Sequence, residues 1–417
     1  MQILLVGGAV RDQLLNITVK DRDWVVVGAT AEQMTAQGYC SVGKDFPVYL
    51  HPETKEEYAL ARTERKQAKG YHGFSFDSTE TVTLEQDLLR RDLTINAMAQ
   101  DDKGKIYDYY GGQDDIKDKK LRHVSSAFAE DPVRILRVAR FAARYAHLGF
   151  SVAKTTLTLM KAMVADGEVD ALVAERVWQE TEKALAEQNP EVFFEVLRDC
   201  GALAVLFPDI DRLFGVPQPE KWHPEIDTGI HTMMVIQQAC RLSDDPTIRF
   251  AALTHDLGKG TTAKDILPSH HGHEERSYYL LIPLCKQYRI PKHFAQLAKL
   301  TARYHTHIHK AFELKATKLL KVLEACDAFR KPDRFDALLT ACKADTRGRT
   351  GFEERQYPQR EYYQKLVKAC ASVDTKEIVA AGYKGIQIKE QLRIKRLTVI
   401  KEIVRAQKES GLMQRDL

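Results

Sequence analysis

The sequence predicts an α+β protein: a small sheet-bearing unit comes first, and everything after it is helical. Two observations carry this. Residues 1 to about 120 alternate short β-like runs (ILLVGGAV, DWVVVG, PVYLHP, EYALAR) with polar stretches of helical pattern. After about residue 125 such runs nearly vanish, and apolar residues recur at helical spacing to the C-terminus. DPVRILRVARFAARYA is amphipathic, with Pro132 suited to a helix's first turn after Asp131. FFEVLRDCGALAVLFPDIDRLFGVPQP ends in a Pro/Gly-rich segment, Gly215 to Pro219, which reads as a linker. The 417 residues are enough for more than one core. The expected division is 1–125, a helical neck 126–218, a histidine-rich helical unit 223–330 and a helical C-terminal region 331–417.

Composition narrows the class. Hydrophobic residues are 44% and charged residues 29%, as in a soluble globular protein with real cores. No run of about 18 apolar residues appears, so no membrane span is expected. MQILLVGGAV lacks the basic flank and cleavage pattern of a signal peptide and flows directly into a strand. The seven cysteines form no CxxC pair; an odd, scattered set fits reduced thiols in a cytoplasm better than a disulfide framework or a zinc ribbon. A net charge of +4 is too slight to identify a nucleic-acid partner. Its distribution says more. Lys389 to Lys408 carries seven basic and two acidic residues on a helical pattern, which suits either a solvated face or phosphate contact.

LVGGAVRD, Leu5 to Asp12, is a strand, a Gly-Gly turn and a helix start. Glycines let backbone N–H groups approach a phosphate, and Arg11 adds a guanidinium suited to bidentate contact. Alone, such a turn is usually only a turn, and no Gly-Lys-Ser/Thr follows to make a Walker loop. Nine residues on come Asp21 and Asp23, one residue apart where an apolar run begins. In a strand both would project from one face, and their mutual repulsion is relieved by a hard cation such as Mg²⁺, which shares its oxygen shell with substrate phosphates. An isolated DxD reads equally as two solvated aspartates; behind a phosphate-type turn it suits phosphoryl transfer.

LLRRDLTINAMA adds Arg90, Arg91, Asp92 and Asn96, with the last two four apart on one helical face. AEDPVRILRVARFAAR places Asp131, Arg134, Arg137 and Arg140 at steps of three along one slowly rotating face, which fits a salt-bridged surface helix as well as a ligand site.

The set GGxVRD, DxD, RRDxxxN, DYYGGQDDI and EDPxRxLR occurs in one order across residues 1 to about 215. In this it resembles the class II tRNA nucleotidyltransferase and bacterial poly(A) polymerase superfamily, a branch of the polymerase-β-like transferases. The resemblance implies a mixed-sheet nucleotidyltransferase head followed by an all-α neck. It implies that Gly8 and Arg11 hold ATP or CTP and that Asp21 and Asp23 bind Mg²⁺ as the catalytic pair. Arg91, Arg137 and Arg140 would contact nucleotide, while Asp131 and Arg134 would read the base. Physics supports that last role: a carboxylate accepts from the exocyclic amine of C or A, and a guanidinium donates to the ring acceptor. Neither U nor G offers the same arrangement. ERVWQE, Glu175 to Glu180, is similar to the neck segment that buttresses the pair. A third carboxylate is not identified; Glu57 is a guess.

The second half is rich in histidine. TGIHTMMV carries His231, and LTHDLGKG carries His255 beside Asp256. HHGHEERS supplies His270, His271 and His273, and RYHTHIH supplies His305, His307 and His309. A lone helical histidine is more often packed core than ligand. An adjacent His-Asp flanked by further clusters suits a borderline transition metal. The order resembles the HD phosphohydrolase superfamily, which implies an all-α HD domain with His231, His255, Asp256 and a distal aspartate as ligands. Asp327, in the helical context ACDAFRKP, is taken for that ligand over Asp345, with His255 and Asp256 catalytic. His270, His271, His273 and His305 would ligate a second metal or bind phosphate.

Together the halves resemble the long bacterial form of the CCA-adding enzyme, down to KWHPEIDTGIHT and ADTRGRTGF. That implies untemplated addition of CCA to the tRNA 3′ end from CTP and ATP, with pyrophosphate released. It also implies an HD domain acting as 2′,3′-cyclic phosphodiesterase, 2′-nucleotidase and phosphatase, with Ni²⁺ as its metal. The expected state is a cytoplasmic monomer or homodimer, with the basic C-terminal helix a candidate tRNA contact. The competing expectation is a poly(A) polymerase, which shares the head motifs.

Overall fold

A computed structural model describes residues 1–42, 48–66 and 74–409. The first residue of PVYLHP and the last eight residues of the C-terminal region lie outside these. The chain forms two compact units, Met1–Leu206 and Phe207–Leu417. Among the described residues no helix is long and apolar enough to cross a membrane.

The first unit is built on strands β1 (Gln2–Val6), β2 (Asp23–Val27), β3 (Cys40–Val42), β4 (Val48–Leu50) and β5 (Glu57–Leu60). A separate hairpin pairs β6 (Thr63–Lys66) with β7 (Phe74–Asp77), and β8 (Ala99–Gln100) and β9 (Ile106–Tyr107) rejoin the main sheet. The order in that sheet is β3-β4-β5-β2-β1-β8-β9. β1 runs antiparallel to β2, and β2 runs parallel to β5, with Asp23 opposite Glu57. The sheet is therefore mixed.

Both faces of the central strands are covered, which explains why LLV and VVV are continuous apolar runs instead of alternating ones. Val25 packs on one side with Leu4, Val6, Leu84 and Leu88, while Val26 packs on the other with Met34, Tyr49 and Tyr58. The turn after β1 needs glycine: Gly7 has φ +72°, and a Cβ there would meet the Arg91 guanidinium at 2.9 Å. Asp23 opens β2, whereas Asp21 precedes it, so the two acids flank the strand start instead of lying within it. Helices Val133–Tyr145, Ala174–Leu185 and Pro190–Asp199 follow, the first packing against the other two.

The second unit is all-helical. Helix Thr228–Leu242 starts where the Asp227 carboxylate accepts from the Ile230 N–H at 2.9 Å. Helix Pro246–Thr254 has Asp245 as its cap and ends one residue before His255. Helices His273–Gln287, Lys292–His309 and Pro332–Arg347 complete the bundle around the histidines. Gly258, in the turn after Asp256, has no room for a side chain against His273 O, Ser277 N and Arg276, so it lets that turn touch the next helix. The basic C-terminal stretch is one helix, Ile386–Glu409. Arg393 pairs with Glu324 at 3.1 Å, Lys395 pairs with Glu377 at 2.8 Å, and Arg396 lies over Phe329.

Candidate functional site

In the first unit a cleft of about 580 Å³ opens beside the Gly7-Gly8 turn. Gly8, Arg11, Asp23, Arg91, Asp131, Arg134, Arg137 and Arg140 all line it. Asp21 is exposed and is not among the residues that line the cleft, but its charge acts on Asp23. The Asp23 carboxyl is open to solvent but hemmed by the cleft wall. Burial raises its pKa, Arg91 lowers it, and Asp21 raises it again. A pair whose second charge is resisted in this way is relieved by a bound cation. Glu57, opposite Asp23 on the parallel strand, also lines the cleft.

The arginines are held by specific partners. Arg11 is buried, pairs with Asp12 at 2.7 Å, donates to Asn96 Oδ1, and lies over the rings of Phe141 and Tyr145. Arg91 pairs with the fully buried Asp87 at 3.2 Å, and Arg137 with Asp92 at 2.7 Å. Burial opposes the charge on Asp92, but Arg137, Asn96 and the Leu93 N–H hold its carboxyl well below the usual range. Arg140 donates to Glu180 at 2.6 Å. Arg134 donates to the carbonyls of Ala127 and Arg90 at 2.9 and 2.7 Å. The Asp131 carboxylate accepts both Arg176 nitrogens, at 3.2 and 2.8 Å, and the Val133 N–H at 3.1 Å. A carboxylate has about four acceptor positions, so Asp131 keeps one for a ligand. Arg62, Arg144 and Arg176 also line the cleft. Of these, the sequence signalled only Arg176, through ERVWQE.

The second unit gathers His231, His255 and Asp345, and beside them Asp256, His273 and His305. Asp327 is not among them. It ends its helix with φ +56° and pairs with Arg330 at 2.7 Å and Arg334 at 3.8 Å. The aspartate beside His231 is Asp345, 3.1 Å from its Nε2 and carried by the helix that packs on His231's own. The expectation for the distal residue is thus corrected, and the cluster draws on residues beyond 330. His270 is occupied by Thr262 and the Pro217 carbonyl.

The tautomers of this cluster follow from its neighbours. His255 Nδ1 is 2.7 Å from Ala252 O, His273 Nδ1 is 2.8 Å from His270 O, and His305 Nδ1 is 3.1 Å from Thr301 O. His231 Nδ1 is 3.0 Å from Gly348 O. Only an N–H satisfies a carbonyl, so each Nδ1 carries a proton, and in the neutral imidazole each Nε2 is the nitrogen left with a lone pair. Those lone pairs face carboxylates: His255 Nε2 to Asp256 at 3.0 Å, and His273 Nε2 to Asp256 at 3.2 Å. His273 and His305 meet Nε2 to Nε2 at 3.1 Å. His255 Nε2 and Asp256 Oδ1 are buried without a hydrogen-bond partner. Acceptors converging on acceptors fit cations between them. Burial works against a proton on His255, yet Asp256 and Asp345 outweigh it and pull its pKa up, which is the same demand for positive charge.

Three family models match the chain. The poly A polymerase head domain matches residues 3–122, the probable RNA- and SrmB-binding site of polymerase A matches 149–214, and the HD domain matches 228–331. The multifunctional CCA protein of Thioalkalivibrio sulfidiphilus is 62% identical over 97% of this chain and 98% of its own length. The chain belongs to the multifunctional CCA protein family. The Pasteurella multocida member is 57% identical over 96% of this chain and 97% of its own length. Among solved structures, a CCA-adding enzyme with ATP is similar at TM-score 0.65 and 20% identity, covering 99% of this chain and 91% of its own. The Thermotoga maritima CCA-adding enzyme complexed with tRNA is similar at TM-score 0.61 and 20% identity, covering 97% and 91%. These two carry the fold.

Proposed function

We propose that the first unit adds CCA to the 3′ end of tRNA from CTP and ATP, and that the second hydrolyses phosphoesters such as 2′,3′-cyclic phosphates. The observation that carries the first reading is the cleft in which Asp23, the Gly7-Gly8 turn and the Asp131–Arg134 pair meet. The tRNA 3′-hydroxyl attacks the α-phosphorus; the new P–O ester bond forms as the bond to pyrophosphate breaks. Mg²⁺ held by Asp21 and Asp23, with Glu57 as the adjacent third carboxylate, would supply charge neutralisation on the transferred phosphoryl group. Arg11, Arg91, Arg137 and Arg140 bind and orient the triphosphate. Asp131 accepts from the exocyclic amine of C or A, and Arg134 donates to the ring. Arg176 holds Asp131 in place for this.

In the second unit His231, His255, Asp256 and Asp345 would hold a transition metal, of which Ni²⁺ is one, with a second beside Asp256, His273 and His305. Such cations supply Lewis-acid activation of a phosphoester. Lys259, 2.6 Å from Asp256 Oδ2, keeps that carboxylate charged and in place. The basic helix Ile386–Glu409 is the proposed tRNA contact, and a soluble cytoplasmic protein, as monomer or homodimer, is the corresponding state.

The test offers tRNA lacking its 3′ end each triphosphate in turn and measures product length. CMP and AMP incorporation ending at three nucleotides is expected; an unbounded A tract would make the protein a poly(A) polymerase instead.

A further inference from the structure

We propose that Glu225 is a positioning residue for the buried histidine–aspartate cluster. Its carboxylate fixes the His231 proton on Nδ1 and so aims the Nε2 lone pair at the cation position shared with His255 and Asp345. The inference rests on the divalent-cation reading above and deepens it.

Of the five histidines whose Nε2 atoms reach Asp256 or Asp345, His255, His273 and His305 have backbone carbonyls at Nδ1, and His309 has the Tyr357 hydroxyl there. His231 has a backbone carbonyl as well, Gly348 O at 3.0 Å, but it also has Glu225 Oε1 at 2.9 Å. A ring nitrogen set between two acceptors carries a proton, so in the neutral ring His231 Nε2 is the lone-pair nitrogen; it lies 3.1 Å from Asp345 Oδ1, where a cation would satisfy both. The Glu225 side chain is 2% exposed, and its Oε1 also accepts from His223 Nδ1 at 3.1 Å. The His223 ring stands edge-on to that of His231 at 4.7 Å.

His223, Glu225 and His231 lie close enough together to pass for a ligand set of their own. With its proton on Nδ1, His231 cannot serve both sides, so this group is a holder and not a third cation site. A carboxylate behind an imidazole fixes its orientation and raises the basicity of the far nitrogen. The local backbone places it there: Ile226 takes φ +60° and Asp227 caps the helix, which turns Glu225 in behind His231.

The experiment titrates metal-free full-length protein with Ni²⁺ and with Co²⁺ by calorimetry and records the Co²⁺ visible spectrum. Glu225→Ala is expected to weaken binding by about 10- to 100-fold and to alter the cobalt bands. Glu225→Gln, which keeps an acceptor oxygen without the charge, is expected to fall between. Circular dichroism melts establish that both variants are folded; where Glu225→Ala is not, Glu225→Gln decides. Affinity and spectrum equal to the unaltered protein would overturn the role of Glu225 alone. No cation binding by the unaltered protein would overturn the metal reading itself.

Discussion

Asp327 and Asp345 each lie at or near a helix end, but their surroundings give them different work. Asp345 is buried among His231, His255 and His309. His309 Nε2 lies 2.6 Å from its Oδ2, and the Tyr357 hydroxyl is 2.9 Å from His309 Nδ1. Burial opposes the charge on Asp345, yet His309, His255 and His231 hold its carboxyl far down. Asp327 is a partly open surface acid whose partner Arg330 is 83% exposed. Asp345→Asn is therefore expected to cut phosphoesterase activity by more than about 100-fold, beyond what an outer partner costs. Asp327→Asn, which tolerates the left-handed backbone, should leave activity within about twofold and stability within about 1 kcal/mol. Hydrolysis of 2′,3′-cyclic AMP by the two variants checks both. The adjacent His255-Asp256 was legible because the two neighbours announce themselves in the chain. The distal acid was not: which of two helix ends packs on His231 is decided by tertiary contact, and ACDAFRKP is only a tight connection between helices.

At the scale of the element, helix Val133–Tyr145 shows how an arginine row becomes a site. The steps of three from Asp131 to Arg140 were visible in the sequence, as was the strand–turn–helix of LVGGAVRD. ERVWQE pointed to the segment that carries Arg176 and Glu180, but the pairings themselves, with Asp92 among them, were not visible, because the partners arrive from distant parts of the chain. They decide which arginine faces the cleft and which is tied back. Arg140 and Glu180 form a pair with side chains 10% and 8% exposed. Glu187 remains 3.8 Å from Arg140 when Glu180 is removed, so Glu180→Ala should cost the charged hydrogen bond, about 1–3 kcal/mol in urea unfolding. Asp92 gives a pH signature. Its folded pKa lies below the unfolded value of about 3.9. Acid thus protonates the unfolded chain first, and the stabilisation, complete above about pH 5, fades as pH falls through the folded pKa. Asp92→Asn should flatten that acid limb of the thermal-melt profile. Its paired acids also explain why Asp21 and Asp23 were readable as a pair but not as one strand face: the strand begins only at Asp23.

For the whole molecule, the proposed transferase residues and the proposed phosphoesterase residues lie in separate units. Asp23→Asn should abolish CMP and AMP incorporation while 2′,3′-cyclic phosphate hydrolysis continues, and His255→Ala should do the reverse. Parallel assays on one preparation of each variant check this, and joint loss in either would contradict separate sites. The order of the motifs made this division readable in outline, since each cluster of charged residues lies within its own half of the chain. What the chain order could not reveal is that the cluster of the second half reaches past residue 330 for Asp345.

In the proposed reaction side chains, without a template, choose C and A. The direct measurement is the ratio of kcat/KM for CTP over UTP on tRNA lacking its 3′ end, compared between the unaltered protein and Asp131→Asn. Loss of the carboxylate that accepts the exocyclic amine should lower that ratio by at least about tenfold, consistent with the roughly 1–3 kcal/mol that a bidentate base contact discriminates. A variant that slows both nucleotides equally and keeps the ratio would show that Asp131 does not read the base.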